Sequence, residues 1–178
     1  MKIRWFGFNI YLALALAAAA LCGCSTSSKN KGKKQLCTLR LHLEAGRDST
    51  GFNEAVPIYR EHPFMITVQK IPFLDQSNVA GAKVIDVVGG FALRIQFNHA
   101  GTALLEEYSA GNRGKRIAVF CQFGEELKEV RWLAAPVIAR HVSDGVFIFT
   151  PDATREEAEQ IALGLNNVFK KTQTWIDK

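Results

Sequence analysis

The chain has 178 residues, 48% of them hydrophobic and 22% charged, a balance typical of a folded domain and not of a disordered protein. Its 22 Lys and Arg residues exceed its 17 Asp and Glu residues, but from residue 35 onward the counts are 16 and 17. Because the positive excess lies outside the region expected to fold, the charge argues against nucleic acid as a partner.

The first 23 residues have the layout of an export signal. Lys2 and Arg4 precede an apolar run over residues 10–21, and small residues follow it. A helix that crosses the hydrocarbon core needs roughly 20 apolar residues, so this run predicts a cleaved signal peptide and not a permanent span.

The residues that follow the apolar run, Leu21, Cys22, Gly23 and Cys24, resemble the bacterial lipobox. The resemblance implies cleavage between Gly23 and Cys24 and acylation of Cys24 with diacylglyceryl and N-acyl groups. A multiply acylated terminus is a stable membrane anchor. The alternative is an ordinary signal peptide cut near Cys22. Ser25 stands where an Asp keeps enteric lipoproteins at the inner membrane, which favours the outer membrane and a domain facing the periplasm.

Residues 24–35 are expected to form a flexible tether rich in Ser and Lys. Its lysines could also be attracted to anionic lipid head groups; they are Lys29, Lys31, Lys33 and Lys34. Residues 36–178 are long enough for a single domain with one hydrophobic core.

Alternation of apolar and polar residues predicts the first strands of this domain. They are expected at 36–43, 64–71, 83–88 and 91–97. The polar stretch 46–53 predicts a loop. Gly89 and Gly90 indicate a two-residue hairpin between the last two strands.

The following elements are a helix and a central strand. Asn98 is expected to cap a helix that ends at Gly111 and buries Ala100, Leu104 and Tyr108. Both faces of the strand at 116–123 are largely apolar, which predicts a central position in the sheet.

The last elements are an extended segment, a strand and a helix. Pro136 interrupts the apolar run 132–139, which indicates an edge, a bulge or an extended segment. A strand is expected at 146–150, and Thr154 with Glu157 forms a capping box before a long amphipathic helix. Together these elements predict an α+β fold with an antiparallel-rich sheet and two main helices.

Cys37 and Cys121 each lie on the same face of a predicted strand as its apolar residues, so both thiols are expected to point inward. In an oxidising compartment the pair could form a disulfide. Directly opposed strand residues have Cβ atoms about 4.5–5.5 Å apart, slightly wider than a disulfide requires. Two buried free thiols are therefore the alternative, and the sequence leaves both open.

Three strings in the second half of the chain carry a family resemblance. They are GKRIAVF at 114–120, AAPVI at 134–138 and FTPDATREEAEQIALGL at 149–165. Their order and spacing resemble the head subdomain of the first periplasmic domain of SecD, a subunit of the bacterial Sec export machine. The resemblance spans residues 72–171. The matching residues are Gly114, Lys115, Arg116, Ala135, Pro136, Val137, Ile138, Glu156, Glu157 and Ala158.

The resemblance implies a non-enzymatic module that binds polypeptide or an envelope protein, with Sec components among its partners. Two departures limit it. No spanning helix is expected after Cys24, so channel formation and use of a proton gradient do not carry over. The turn after the central strand also contains three added acidic residues, Glu125, Glu126 and Glu129. A structural or cell-wall lipoprotein is the alternative, and an envelope hydrolase is a distant third.

No motif predicts catalysis, a metal or another cofactor. The chain has no nucleophile elbow, phosphate-binding loop or dinucleotide fingerprint. The four histidines lack metal-ligand spacing; they are His42, His62, His99 and His141. His42, on the polar face of its strand, and His99, in the first turn of a helix, are expected to face solvent or to cap.

Overall fold

The computed structural model describes residues 35–46 and 51–176, with side chains to residue 171. The predicted signal peptide, the predicted acylation site Cys24 and the predicted tether up to Lys34 lie outside the described residues. Within them the chain forms nine strands and two α-helices, in the order β1 Thr38–Leu43, β2 Asn53–Ile58, β3 Phe64–Gln69, β4 Leu74–Asp75, β5 Val79–Val87, β6 Gly90–Phe97, α1 His99–Gly111, β7 Ile117–Phe123, β8 Glu129–Ala134, β9 Val146–Phe149 and α2 Arg155–Ile176.

The described strands form three antiparallel sheets. The largest has the order β4-β1-β7-β8, a second has the order β5-β6-β9, and β2 pairs with β3 in a hairpin. The predicted α+β class and the internal position of β7 are therefore confirmed. Because β9 has a neighbour on one side only, it is an edge strand.

The main core lies among the two larger sheets and α2. It is built from the apolar positions of alternating strands and from one stripe of the helix, including Leu39, Leu41, Leu93, Ile95, Val119, Phe123, Ala158, Ile161 and Leu165. The helical spacing of Ala158, Ile161 and Leu165 places all three on the buried side of α2. Thr154 and Glu157 form the predicted capping box, with reciprocal bonds of 2.8 and 3.2 Å.

The β2–β3 hairpin covers part of the opposite face of the four-stranded sheet. Val56 and Ile58 of β2 pack there with Ala118 of β7. The polar stretch before this hairpin, 46–53, is typical of a loop, and the local pattern does not predict β2. Pro57 is tolerated in β2 because this strand has a partner on one side only and keeps a free edge.

His42 is also covered by this hairpin, which corrects the expectation that it faces solvent. His42 is only 5% exposed, and its Nδ1 lies 2.8 Å from the carbonyl oxygen of Gln69 at the end of β3. The period-two pattern correctly placed His42 on the face opposite Leu41. It did not show that a second layer covers that face.

Two further expectations are corrected by one residue. The β5–β6 turn consists of Val88 and Gly89, since Val87 pairs directly with Gly90. In α1, which Asn98 caps by accepting a 2.9 Å bond from the Gly101 backbone, the fully buried residues are Gly101, Leu105 and Ser109. The predicted stripe of Ala100, Leu104 and Tyr108 is offset, with Ala100 exposed and the other two partly buried.

Cys37 and Cys121 both point inward, as expected. Each is completely buried, and their Sγ atoms lie 3.1 Å apart as free thiols. The register pairs Leu39 with Cys121, so the two cysteines are diagonal neighbours and not directly opposed.

Candidate functional site

Two of the three family strings lie side by side in the structure. The start of Gly114–Phe120 runs antiparallel to Ala134–Ile138, with Arg116 bridged to Val137. Backbone hydrogen bonds of 3.0 and 2.8 Å close the bridge on either side. The segment after β8 therefore continues the edge of the four-stranded sheet past Pro136.

Arg116 ties this edge to the rest of the sheet. Its Nη1 donates to the Ala135 carbonyl at 3.1 Å, its backbone N donates to a carboxylate oxygen of Glu44 at 2.8 Å, and its guanidinium lies 5.5 Å from the Phe64 ring. Lys115 is exposed and donates to Asn112 at 2.9 Å. These contacts give both basic residues of the string structural partners.

The third string begins α2 and does not line the same surface. Glu157 accepts a 2.6 Å bond from the Arg131 guanidinium of β8, while Glu156 is exposed and Ala158 is in the core. Burial acts to raise the pKa of Glu157, but bonds from the Thr154 backbone and Arg131 outweigh it and leave this pKa lowered. This ion pair joins the start of α2 to β8.

The pocket of the described surface that adjoins the paired strings is a groove of about 240 Å³. Its walls are α1, the segment from Pro136 to Val142, and β9. Apolar side chains dominate the lining; they include Leu105, Pro136, Val137, Val142, Phe147 and Ile148. Its charged lining residues are Arg140 and Asp144. We call it the edge groove.

Two polar side chains that line the edge groove accept hydrogen bonds from backbone groups of the chain. Ser109 is buried, and its Oγ accepts a 2.9 Å bond from the Val142 backbone while donating to the Glu106 carbonyl at 3.1 Å. Asp144 accepts a 3.0 Å bond from the Val146 backbone. The Ser109 hydroxyl therefore has partners within the chain, and most of the remaining lining is apolar.

The β9 wall of the edge groove presents open main-chain groups. In an antiparallel pair, alternate residues direct both N–H and C=O toward the partner strand. Phe97 of β6 donates to the Gly145 carbonyl at 2.9 Å, so Phe147 and Phe149 also face β6. Ile148 then directs its N–H and C=O away from β6, and no described strand lies beyond β9.

The segment after β8, which also lines the groove, has the same property at Val137. The bonds that close its bridge to Arg116 belong to the residues on either side of each partner. The N–H and C=O of Val137 therefore point away from the β7 side. The side chains of Val137 and Ile148 are 47% and 48% exposed. Two open strand edges with half-exposed apolar side chains thus line one groove.

The family strings contain some residues that line this groove, but they do not predict the groove itself. Pro136, Val137 and Ile138 were among the family-motif residues, but Ile148 and Val142 were not singled out. A signal was present at 146–149, where apolar residues occupy both faces of a strand next to a turn. Its meaning depends on β9 being an edge strand.

The described part of the chain contains neither a cluster of metal-ligating side chains nor a membrane-spanning helix. Among residues 35–46 and 51–176, no three His, Cys, Asp or Glu side chains lie close enough to hold a metal ion. No helix in these ranges is both long and apolar enough to span a bilayer.

Comparison with solved structures shows the fold. The chain is 20% identical to the protein in "Structure and function of a membrane component SecDF that enhances protein export", with a TM-score of 0.54 over 81% of this chain and 71% of that one. It is 20% identical to SecDF in a super-membrane-facing form, with a TM-score of 0.53 over 78% of this chain and 20% of that one.

Comparison at the sequence level shows the family. A search of curated proteins finds no match. The family model for the SecDF P1 head subdomain matches residues 53–167, which include the β2–β3 hairpin as well as the edge groove. This match starts 19 residues before the predicted start of the resemblance at residue 72. Since it covers more than half of the chain, the protein belongs to the SecDF P1 head subdomain family.

Proposed function

We propose that this protein is a non-catalytic, membrane-anchored module that binds extended polypeptide in the edge groove as an accessory to protein export. The presence of two open strand edges in the lining of one groove is the observation that carries this proposal. Family membership supports the export role, since a solved relative is a membrane component that enhances protein export.

An extended polypeptide matches the edge groove in its main chain. A strand added to an open edge gains hydrogen bonds from backbone groups that every sequence has. The outward N–H and C=O of Val137 and Ile148 supply such groups on both walls. Recognition through the main chain suits a module that must accept many different exported sequences.

The side chains of the edge groove set a second requirement. Its lining is mostly apolar, so a bound segment gains free energy by burying apolar side chains. Because a charged side chain would lose its hydration there, segments rich in Asp, Glu, Lys or Arg should bind weakly. The groove therefore favours unfolded apolar segments over the surface of a folded protein.

Photocrosslinking in cells tests the polypeptide proposal. A photoreactive amino acid at Val137 or Ile148 should yield adducts with an exported chain arrested during translocation. The matched control is Val88, which is fully exposed at the β5–β6 turn, away from the groove lining. Adducts from Val88 as strong as those from the groove, or no polypeptide adduct from the groove, would contradict the proposal.

The anchor in this proposal is the acylated Cys24, with the domain in the periplasm and the outer membrane favoured. Cys24→Ser should abolish incorporation of labelled palmitate, because serine has no thiol for the lipid. Cys22→Ser is the control and should retain the label. Palmitate incorporation by the Cys24→Ser variant would show that the lipid is attached elsewhere.

A further inference from the structure

The two described cysteines form a buried pair that connects two central strands. Cys37 immediately precedes β1 and Cys121 lies in β7, with 3.1 Å between their Sγ atoms. Cys37 lies outside the ladder, whose last pair is Thr38 with Gln122. The spacing expected for directly opposed residues therefore does not apply to this diagonal pair.

Helix α2 closes this pair from solvent. A Cβ atom on Gly164 would lie 2.7 Å from the Cys37 Cβ and 2.9 Å from its backbone N, so the helix backbone rests directly on this residue. The Asn167 side chain also donates to the Gln35 carbonyl at 3.0 Å. Both thiols are completely buried beneath this contact.

The folded environment suppresses thiol reactivity. The hydrogen bond with Cys121 and burial both raise the pKa of the Cys37 thiol. Thiol–disulfide exchange requires a thiolate and access to the attacking disulfide. A reduced pair that has already been covered by α2 should therefore react very slowly.

We propose that Cys37 and Cys121 form a disulfide bond before α2 packs onto β1. Both cysteines precede Arg155, the first residue of α2, so an exported chain presents them to the oxidising compartment before the helix. The proposal rests on the export proposed above for the source of the oxidant. Its geometric basis, the paired thiols under α2, is independent of polypeptide binding.

The chemistry requires a protein dithiol–disulfide oxidant. The thiolate of one cysteine attacks the disulfide of the oxidant, which forms a mixed disulfide and releases one oxidant thiolate. The second cysteine, as thiolate, then attacks the mixed disulfide and releases the other. The chain loses two protons and two electrons, and the oxidant is reduced to its dithiol.

The first test uses the whole chain in cells. After acid quenching, free thiols are alkylated and the peptides containing Cys37 and Cys121 are identified by mass spectrometry. In signal-cleaved chains the two peptides should be joined and should separate only on reduction. Alkylated Cys37 and Cys121 in signal-cleaved chains would overturn the proposal, whereas absence of signal cleavage would contradict the export proposal instead.

The second test does not depend on export. The full chain with Cys22→Ser and Cys24→Ser has two thiols, which are oxidised with glutathione disulfide in urea or in native buffer. The bond should form in urea and at least about tenfold more slowly in the folded chain, and the oxidised chain should refold to the same near-UV spectrum. Equal rates, or an oxidised chain that cannot refold, would refute the proposal.

A matched variant shows that the bond joins these two cysteines. Adding Cys37→Ser to the same background should leave Cys121 able to form only a mixed disulfide with glutathione. The mass of that adduct distinguishes it from an intramolecular bond. An intact chain with Cys37 and Cys121 that also stops at mixed disulfides in urea would show that the pair does not close.

Discussion

At the scale of single residues, His42 is a titratable group at an internal interface. His42 belongs to β1, and its side chain is covered by the β2–β3 hairpin; the Trp132 ring contacts it edge-on at a centroid distance of 5.1 Å. Burial lowers the pKa of His42, partly offset by its bond to the Gln69 carbonyl and by Glu54, while Arg40 lowers it further. The neutral imidazole is therefore the form that the fold accommodates.

This lowered pKa predicts a loss of stability in mild acid. The unfolded chain binds a proton near pH 6.5 that the folded chain binds only at lower pH, so stability is full above about 6.5 and falls as the pH drops toward the folded pKa. Each unit of difference between the two pKa values corresponds to about 1.4 kcal/mol.

Urea unfolding between pH 5 and 8 measures this effect. His42→Gln should remove the histidine's share of the acid destabilisation, since glutamine does not titrate. His62→Gln, at an exposed site, should keep the dependence of the parent chain. Identical pH profiles for His42→Gln and the parent would show that His42 does not carry the effect.

Among the strands and helices, the local sequence pattern correctly predicts several elements that bury only one of their faces. The alternation in β6 and the capped stripe of α2 both placed the correct residues in the core. The pattern failed where a second layer or a long-range contact decides burial. Pro57 argues against a strand in the local pattern, because that pattern cannot show that β2 keeps a free edge. The burial of His42 depends on the hairpin that β2 forms with β3.

The packing of α2 on β1 depends on Gly164. The absent side chain allows the helix backbone to approach Cys37 more closely than any Cβ would permit. Gly164 thus has a positional role, although glycine inside a helix costs roughly 0.5–1 kcal/mol relative to alanine.

Gly164→Ala should therefore destabilise the protein by about 1–3 kcal/mol, because the added methyl group meets backbone as well as side-chain atoms. Gly111→Ala, at the end of α1 with nothing within 4 Å of its Cβ position, should be neutral or slightly stabilising. Urea unfolding of both variants checks the difference. Equal stability of the two would contradict close packing of α2 on β1.

At the level of the whole domain, the edge groove is lined by parts of two separate sheets. One is the edge strand β9, and the other is the segment that follows β8. The family strings include Pro136, Val137 and Ile138 of the groove lining, because these residues are contiguous in sequence. The wall formed by β9 could not be predicted, since its open edge results from the strand order and not from its own residues. The proposed function therefore depends on a relation between sheets that no short motif encodes.

Peptide titration followed by fluorescence anisotropy directly tests the proposal that the edge groove binds polypeptide through its main chain. An extended apolar peptide is compared with two N-methylated versions. One version is methylated at the odd-numbered residues and the other at the even-numbered residues, so that each removes the N–H groups along one edge of the strand. Main-chain pairing predicts that at least one methylated set binds more than about tenfold more weakly, as expected for the loss of several hydrogen bonds. Equal affinity of all three peptides, or binding by none, would contradict the claim.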